Sequence, residues 1–192
     1  MQQYASKIQA GFAFFDNRTI DIAQPILNYG VVKVSHPIRT YSGPELCTMS
    51  ARAIVALLKA SEISPRDVLD AAWQRMDQVA PAVNATVIRD EQRSLAALDL
   101  LQERAMRSNT QPGRLGGMAV GIKDLIAVKG MRATAGSPAL SDFVPTESDA
   151  LIERLEARGA IIAGKTNTPE FGAGGNTFND VFGVTRNPWN TT

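Results

Sequence analysis

The side chain best placed to do chemistry in this sequence is Lys123, which interrupts the apolar run AVGIKDLIAV at residues 119–128. Burial in such a run would lower the pKa of the lysine, because desolvation disfavours the ammonium form. A neutral amine accepts a proton from a hydroxyl nucleophile, so Lys123 is a candidate general base, expected to be buried at a strand end in the complete protein. A structural interpretation stays open beside it, in which the lysine pairs with Asp124 or extends to water. Spacing alone favours the structural interpretation, because Lys-Asp dipeptides are common.

The sequence is poor in the residues on which most hydrolytic sites are built. It has one cysteine, Cys47, and one histidine, His36. Two such side chains are too few for a Cys/His zinc site, which needs four ligands, and a Ser-His-Asp triad could use only His36. Hydrolysis would therefore depend on lysine, serine or carboxylate groups, and no metal or cofactor is implied. We expect His36 to be a surface or packing residue and Cys47 to be a small buried one.

Two polar loops are candidates for substrate binding. One carries the hydroxyls of Thr134 and Ser137 around Gly136, and the other carries Asn167 and Glu170. The second loop follows a predicted strand, and α/β sheets usually place their ligands at the carboxyl ends of strands. The structural alternatives are a turn stabilised by hydroxyl groups for the first loop and the capping of a following helix for the second.

The elements that must position these residues fall into two parts. Residues 45–108 lack glycine and are predicted to be mostly helical. Ser64 is a typical N-cap and Pro65 suits the first turn of the helix that follows. Pro81 is expected to end that helix, because proline lacks the N–H that continues a helix. A short strand is then expected over residues 83–88.

The glycine-rich C-terminal part has an α/β pattern. An apolar strand is predicted over residues 118–122, and a helix capped by Thr146 or Ser148 is predicted to end at Gly159. A buried strand is predicted over residues 160–163. This order indicates a crossover unit, in which a helix joins two parallel strands.

Charge and hydropathy narrow the class of protein. The chain has 20 Lys and Arg against 19 Asp and Glu, a formal net charge of +1, which gives no electrostatic reason to expect nucleic-acid or anionic-membrane binding. No apolar run approaches the length of about 20 residues that a transmembrane helix needs. With no convincing signal peptide either, a cytoplasmic protein is expected. Residues 1–44 are expected to form an extension of uncertain order.

Three segments together resemble the amidase signature family. The first is PGRLGGMAVGIKDLIAV at residues 112–128, followed by KGMRATAGS. The second is AIIAGKTNTPEFGAGGNTFNDVFGVTRNPWN at residues 160–190. The third is the helical segment at residues 46–87, which is similar to the N-terminal helices of the family. The motifs occur in the family's order, so the resemblance covers residues 45–192.

The resemblance implies a mechanism and a fold. Members of that family hydrolyse linear carboxamides with a Ser-Ser-Lys triad, and the family's lysine falls on Lys123. That lysine acts through a bridging serine on a nucleophilic serine, and both serines belong to a Gly/Ser-rich segment that follows the NPW motif. Neither serine can be assigned to a residue of this sequence. Ser137 is a poor substitute, because in the family it belongs to the loop with the sequence TAGS, here residues 134–137 and called the TAGS loop, rather than to the triad. The implied fold is α/β, a mixed sheet surrounded by helices, with residues 45–192 as its N-terminal part.

Three functional hypotheses follow. The first is an amidase acting on a small-molecule amide, with these 192 residues inactive by themselves. The second is a non-catalytic product, either a truncated or degenerate one or an interaction partner. The third is a protein like the A subunit of a glutamyl-tRNA amidotransferase, which takes ammonia from glutamine and needs partner subunits. We also expect self-association, because the N-terminal part of a larger fold would expose apolar faces and a sheet edge.

Overall fold

A computed structural model describes residues 44–108 and 115–191 of the chain. The expected N-terminal extension lies outside the described residues except for Pro44, and His36 lies outside them too. Within the described ranges the chain forms four α-helices and five β-strands, joined by turns and short 3-10 helices.

Two capped helices begin the described part of the chain. Helix α1 spans Ala51–Ala60 and helix α2 spans Pro65–Val83. At the start of α2 the Ser64 hydroxyl accepts the Asp67 N–H at 3.1 Å, and the Asp67 carboxylate accepts the Ser64 N–H at 2.8 Å. This capping box satisfies two donors that the first turn leaves without helical partners, and the expected cap at Ser64 is confirmed.

Pro81 does not end α2, contrary to expectation. The helix continues for two residues beyond it and closes where Asn84 adopts the left-handed conformation with φ 54°. A proline removes one N–H, but its fixed φ is compatible with a helix. The last turn still closes, because the Asn84 N–H donates to the carbonyl of Ala80 at 2.9 Å. The strand that follows, β1, is therefore shorter than expected and spans Thr86–Ile88.

The crossover unit expected in the C-terminal part is confirmed. Strand β2 spans Ala119–Lys123, helix α4 spans Ala150–Ala157 and strand β3 spans Ile161–Thr166. Strands β2 and β3 pair in parallel, with Lys123 opposite the last residue of β3. The carboxyl ends of both strands therefore lie at the same edge of the sheet.

The N-cap of α4 is Asp149 rather than Thr146 or Ser148. Its carboxylate accepts a first-turn N–H at 3.1 Å, whereas the Ser148 hydroxyl accepts the N–H of Lys129 at 2.9 Å. Because the Ser148 hydroxyl binds the N–H of Lys129, it does not cap the helix. Gly159 follows α4 with φ 82°, so the expected glycine stop is confirmed.

The sheet has the strand order β1–β3–β2 and is mixed, because β3 is antiparallel to β1 and parallel to β2. Helix α2 and helix α3, which spans Glu91–Ser108, cover one face, and α4 covers the other. One core consists of Leu69, Trp73, Leu98, Ile161 and Ala163. The other consists of Ile122, Val128, Met131, Ile152 and Ile162. Strand β3 contributes to both, which explains its almost continuous apolar sequence.

Two smaller features complete the fold. Strands β4, Phe178–Asn179, and β5, Gly183–Val184, form an antiparallel hairpin. Cys47 is exposed rather than buried, because it lies in the 3-10 helix Glu45–Thr48, which buries none of its residues. None of the helices in the described ranges combines the length and the hydrophobicity needed to span a lipid bilayer.

Candidate active site

Lys123 ends β2 at the carboxyl edge of the sheet, and its side chain is exposed. Alternate residues of a strand point to opposite faces. The burial expected for Lys123 concerns the complete protein, and it stays a prediction. Ile122 and Asp124 point into the protein, and Lys123 points away from it. A Cβ atom placed on Gly172 would lie 4.0 Å from the Lys123 Nζ atom and 2.9 Å from a methyl carbon of Leu125. The amine therefore lies beside Gly172, whose φ of 74° also favours glycine.

Asp124 does not pair with Lys123, so this part of the structural interpretation is wrong. Its carboxylate lies 3.2 Å from the Nζ atom of Lys165, and both side chains are 0% exposed. The carboxylate also accepts the hydroxyl of Thr134 at 2.6 Å and the N–H of the same residue at 3.1 Å. Asp124 thus joins the end of β2 to β3 and to the TAGS loop.

Among the lysines of residues 44–108 and 115–191, Lys165 is the one that is buried. Burial lowers its pKa, and the nearby Asp124 carboxylate opposes that shift. The ammonium group also donates to the carbonyl of Ile126 at 2.9 Å. The burial of this residue was not predicted from the sequence. The available signals were a lysine inside an apolar strand and an aspartate one position after Lys123, which must face the other side of β2.

The two candidate loops meet. The Ser137 hydroxyl donates to the Glu170 carboxylate at 2.7 Å, and the N–H of Phe171 donates to the carbonyl of Ala135 at 2.7 Å. Gly136 adopts φ 68°, and a Cβ atom there would lie 2.8 Å from the carbonyl oxygen of Thr168. Only glycine allows the two loops to approach this closely.

In the structural alternative for the second loop, its polar residues cap a following helix. The structure has only a single 3-10 turn there, Glu170–Gly172. Phe171 in this turn has φ 48° and ψ 23°, an uncommon conformation for a bulky residue. Its side chain is 58% exposed, and Leu125 is exposed as well. Apolar side chains thus accompany Lys123 at the open edge of the sheet, and strained backbone of this kind often occurs at functional sites.

Asn167 does not face this open edge. Its amide oxygen accepts from the Asn179 side chain at 2.7 Å, and its amide nitrogen donates to the Thr185 hydroxyl at 3.0 Å. These bonds tie the end of β3 to the β4–β5 hairpin. Of the sequence-predicted residues, Gly136, Ser137 and Glu170 lie at the junction of the two loops, and Lys123 lies beside Gly172 of the second loop. Thr134 is buried, and its hydroxyl donates to the Asp124 carboxylate.

The arrangement provides a lysine amine at an open sheet edge, beside the second of two loops that are tied together. No group of three or more His, Cys, Asp or Glu side chains suited to hold a metal ion occurs in residues 44–108 and 115–191. What the described residues offer is an amine with apolar neighbours and an adjacent serine–carboxylate contact.

The sequence profile described as Amidase matches residues 67–192, more than half of the chain. The chain belongs to the amidase signature family. The family resemblance read from the three motif segments is thereby confirmed, as is the α/β fold with a mixed sheet between helices.

Several known proteins of the family are similar to this amidase signature chain. The A subunit of the glutamyl-tRNA(Gln) amidotransferase of Carboxydothermus hydrogenoformans is 37% identical over 145 residues, which are 76% of this chain and 30% of the relative. The acylamidase of Rhodococcus erythropolis is 37% identical over 142 residues, 73% of this chain and 29% of the relative. The crystal structure of a bacterial aryl acylamidase superposes with a TM-score of 0.68 at 32% identity, covering 74% of this chain and 30% of that one. The chain therefore spans about three tenths of the length of the relatives it matches.

Proposed function

We propose that the protein carrying this chain hydrolyses linear carboxamides, with Lys123 as the base. The observation that carries the proposal is the position of the Lys123 amine, at the open carboxyl edge of the sheet and beside Gly172 of the second loop. Family membership supports it, because amidase signature enzymes are amide hydrolases and the family's lysine motif falls on this residue.

The proposed chemistry gives each group a role. Lys123 in its neutral form accepts a proton, through a bridging serine, from a serine that attacks the amide carbon. The carbon–nitrogen bond breaks, the amine or ammonia leaves with a proton, and water releases the carboxylic acid. Neither serine is assigned to a residue of this sequence, so both would come from outside residues 1–192. The exposed side chains of Leu125 and Phe171 support a substrate with an apolar portion.

The test compares two lysines in the complete polypeptide that carries residues 1–192. Lys123→Ala should lower kcat for a simple aliphatic or aryl amide by several orders of magnitude, because the base is lost. Lys129→Ala, which removes another exposed lysine close by in the chain, should leave the rate within about twofold. Circular dichroism of both variants checks that the fold is intact. Equal rates for the two variants would rule out Lys123 as the base.

A second candidate function is that of the A subunit of a glutamyl-tRNA amidotransferase. One such protein is 37% identical to this chain, the same value as for the acylamidase, so identity does not separate the two functions. This function would require partner subunits and glutamine as the ammonia donor. Glutamine hydrolysis that appears only with co-purified partner subunits would favour it, whereas hydrolysis of simple amides by the polypeptide alone would favour the amidase.

A cytoplasmic location is part of the proposal. Cys47 is the single cysteine of the chain, and its thiol is free and exposed. An unpaired accessible thiol fits a reducing compartment.

A further inference from the structure

We infer that the buried pair of Asp124 and Lys165 positions the Lys123 end of β2 and the two loops beside it for catalysis. The inference rests on the proposed function for its kinetic part and on geometry alone for the rest. Neither side chain faces the open edge of the sheet, since both are 0% exposed, so they are positioning residues that act through their neighbours.

The pair contacts both the turn that follows Lys123 and the TAGS loop. The Asp124 carboxylate accepts the hydroxyl and the N–H of Thr134, at 2.6 and 3.1 Å. The Lys165 ammonium donates to the carbonyl of Ile126 at 2.9 Å. Besides pairing with each other, the two charged groups therefore bond to the turn after β2 and to the TAGS loop.

A chain of backbone hydrogen bonds extends this hold to the second loop. The carbonyl of Asp124 accepts the N–H of Ala135 at 3.0 Å, and the carbonyl of Ala135 accepts the N–H of Phe171 at 2.7 Å. Phe171 immediately precedes Gly172, against which the Lys123 amine lies. Two hydrogen bonds therefore connect Asp124 to Phe171, and the next residue, Gly172, lies beside the exposed amine of Lys123.

A stabilising role alone would not require these charges. Desolvating two ions is costly, and apolar residues of similar volume often replace a buried ion pair without loss of stability. An apolar pair would fill the same space, but it could not accept the Thr134 hydrogen bonds or donate to Ile126. The double variant Asp124→Leu/Lys165→Met therefore separates positioning from stability.

The first measurement needs no enzymatic activity and uses the 192-residue chain. In Asp124→Leu/Lys165→Met we expect amide hydrogen exchange at Ala135 and Phe171 to accelerate by about tenfold or more, while the amides of β3 keep their protection. The control is Arg93→Met/Glu156→Leu, which removes a partly exposed ion pair that joins α3 to α4. Its exchange at Ala135 and Phe171 should match that of the wild type.

Thr134→Val provides a second variant in case the double variant fails to fold. It deletes one hydroxyl contact of Asp124 and keeps both charges. Faster exchange at Ala135 in this variant supports the inference. Wild-type exchange at Ala135 and Phe171 in Thr134→Val, or in a folded double variant, overturns it.

The second measurement uses the complete polypeptide that carries residues 1–192. Asp124→Leu/Lys165→Met should lower kcat by about 10- to 100-fold with KM within about twofold, since misplacement of a base by about 1 Å has effects of this size. The Arg93→Met/Glu156→Leu control should keep the wild-type kcat. An unchanged kcat in the folded double variant overturns the catalytic part of the inference. If the wild type hydrolyses no amide, the proposed function fails. Faster hydrogen exchange in the double variant would then still support the inference that the buried pair positions the two loops.

Discussion

Lys123 and Lys165 lie on neighbouring parallel strands in opposite surroundings. Lys123 is exposed at the open edge of the sheet, and Lys165 is completely buried against Asp124. The register places Lys123 opposite Thr166, the residue that follows Lys165. Since alternate residues of a strand face opposite sides, one residue of offset separates an exposed amine from an amine that only contacts the protein.

Replacing Lys123 by arginine tests whether the amine must give up its proton. Arginine keeps the positive charge, but its guanidinium stays protonated and cannot accept a proton. We expect Lys123→Arg to lower kcat for a simple amide nearly as strongly as the alanine substitution, across the whole pH range assayed. A variant that keeps most of the wild-type rate would show that the charge alone is needed.

Removing one member of the buried pair should be costly to stability. In Asp124→Asn the Lys165 ammonium loses its counter-ion, and breaking a buried pair in this way costs about 3–5 kcal/mol. Urea unfolding of the chain measures the change. Asp70→Asn is the control, because it breaks an exposed pair with Arg66, and such pairs contribute about 0–1 kcal/mol. Equal losses in both variants would contradict the assignment of the buried pair.

Asp124→Asn should also change how the free energy of unfolding depends on pH. The pKa of Lys165 is lowered in the folded chain, so the unfolded chain binds more protons between the folded pKa and the ordinary value of 10.5. The free energy of unfolding therefore rises with pH over that window. Asp124→Asn removes the charge that opposes the shift, so the rise should be larger and extend over a wider pH range in the variant than in the wild type. Parallel curves of stability against pH would contradict this.

At the scale of the elements, the capping box of α2 makes the helix sensitive to acid. Hydrogen bonds from the Ser64 N–H and hydroxyl lower the pKa of Asp67 below its ordinary value of 3.8. The contribution of this cap is present above the unfolded pKa and is lost as the pH falls through the folded pKa. Asp67→Ala should therefore lower stability at neutral pH and flatten its decline in acid, as measured by thermal unfolding between about pH 2 and 6. A decline in acid that is as steep in Asp67→Ala as in the wild type would contradict this prediction.

The elements that the sequence predicted well are those fixed by neighbours in the chain. The Ser64 cap and the Gly159 stop depend on residues within one turn, and the crossover unit follows from the order of apolar segments. The predicted N-cap of α4 was wrong, because the Ser148 hydroxyl accepts the N–H of Lys129 instead. The burial at Lys165 was missed because its counter-ion lies just after another strand, and a one-residue change of register decides which lysine is buried.

At the scale of the whole molecule, exposed aromatic side chains predict self-association. Trp189 is 90% exposed and Phe178 is 62% exposed. Apolar surface of this kind favours contacts between molecules when it forms a patch. We expect the sedimentation coefficient of the chain to rise with concentration, and Phe178→Ser/Trp189→Ser to reduce the rise. Leu100→Ser, which removes a singly exposed leucine on α3, is the control. A concentration-independent monomer would contradict the prediction.

The burial of Lys165 also bears on proteolysis. Trypsin cleaves after lysine only where the surrounding backbone is extended and accessible, and β3 is paired on both of its edges, with β1 and with β2. The bond after Lys165 therefore becomes available only when β3 leaves the sheet, so its cleavage rate follows that opening. Peptides ending at Lys165 in a timed digest would measure how often the central strand separates from its neighbours, whatever substrate the protein acts on.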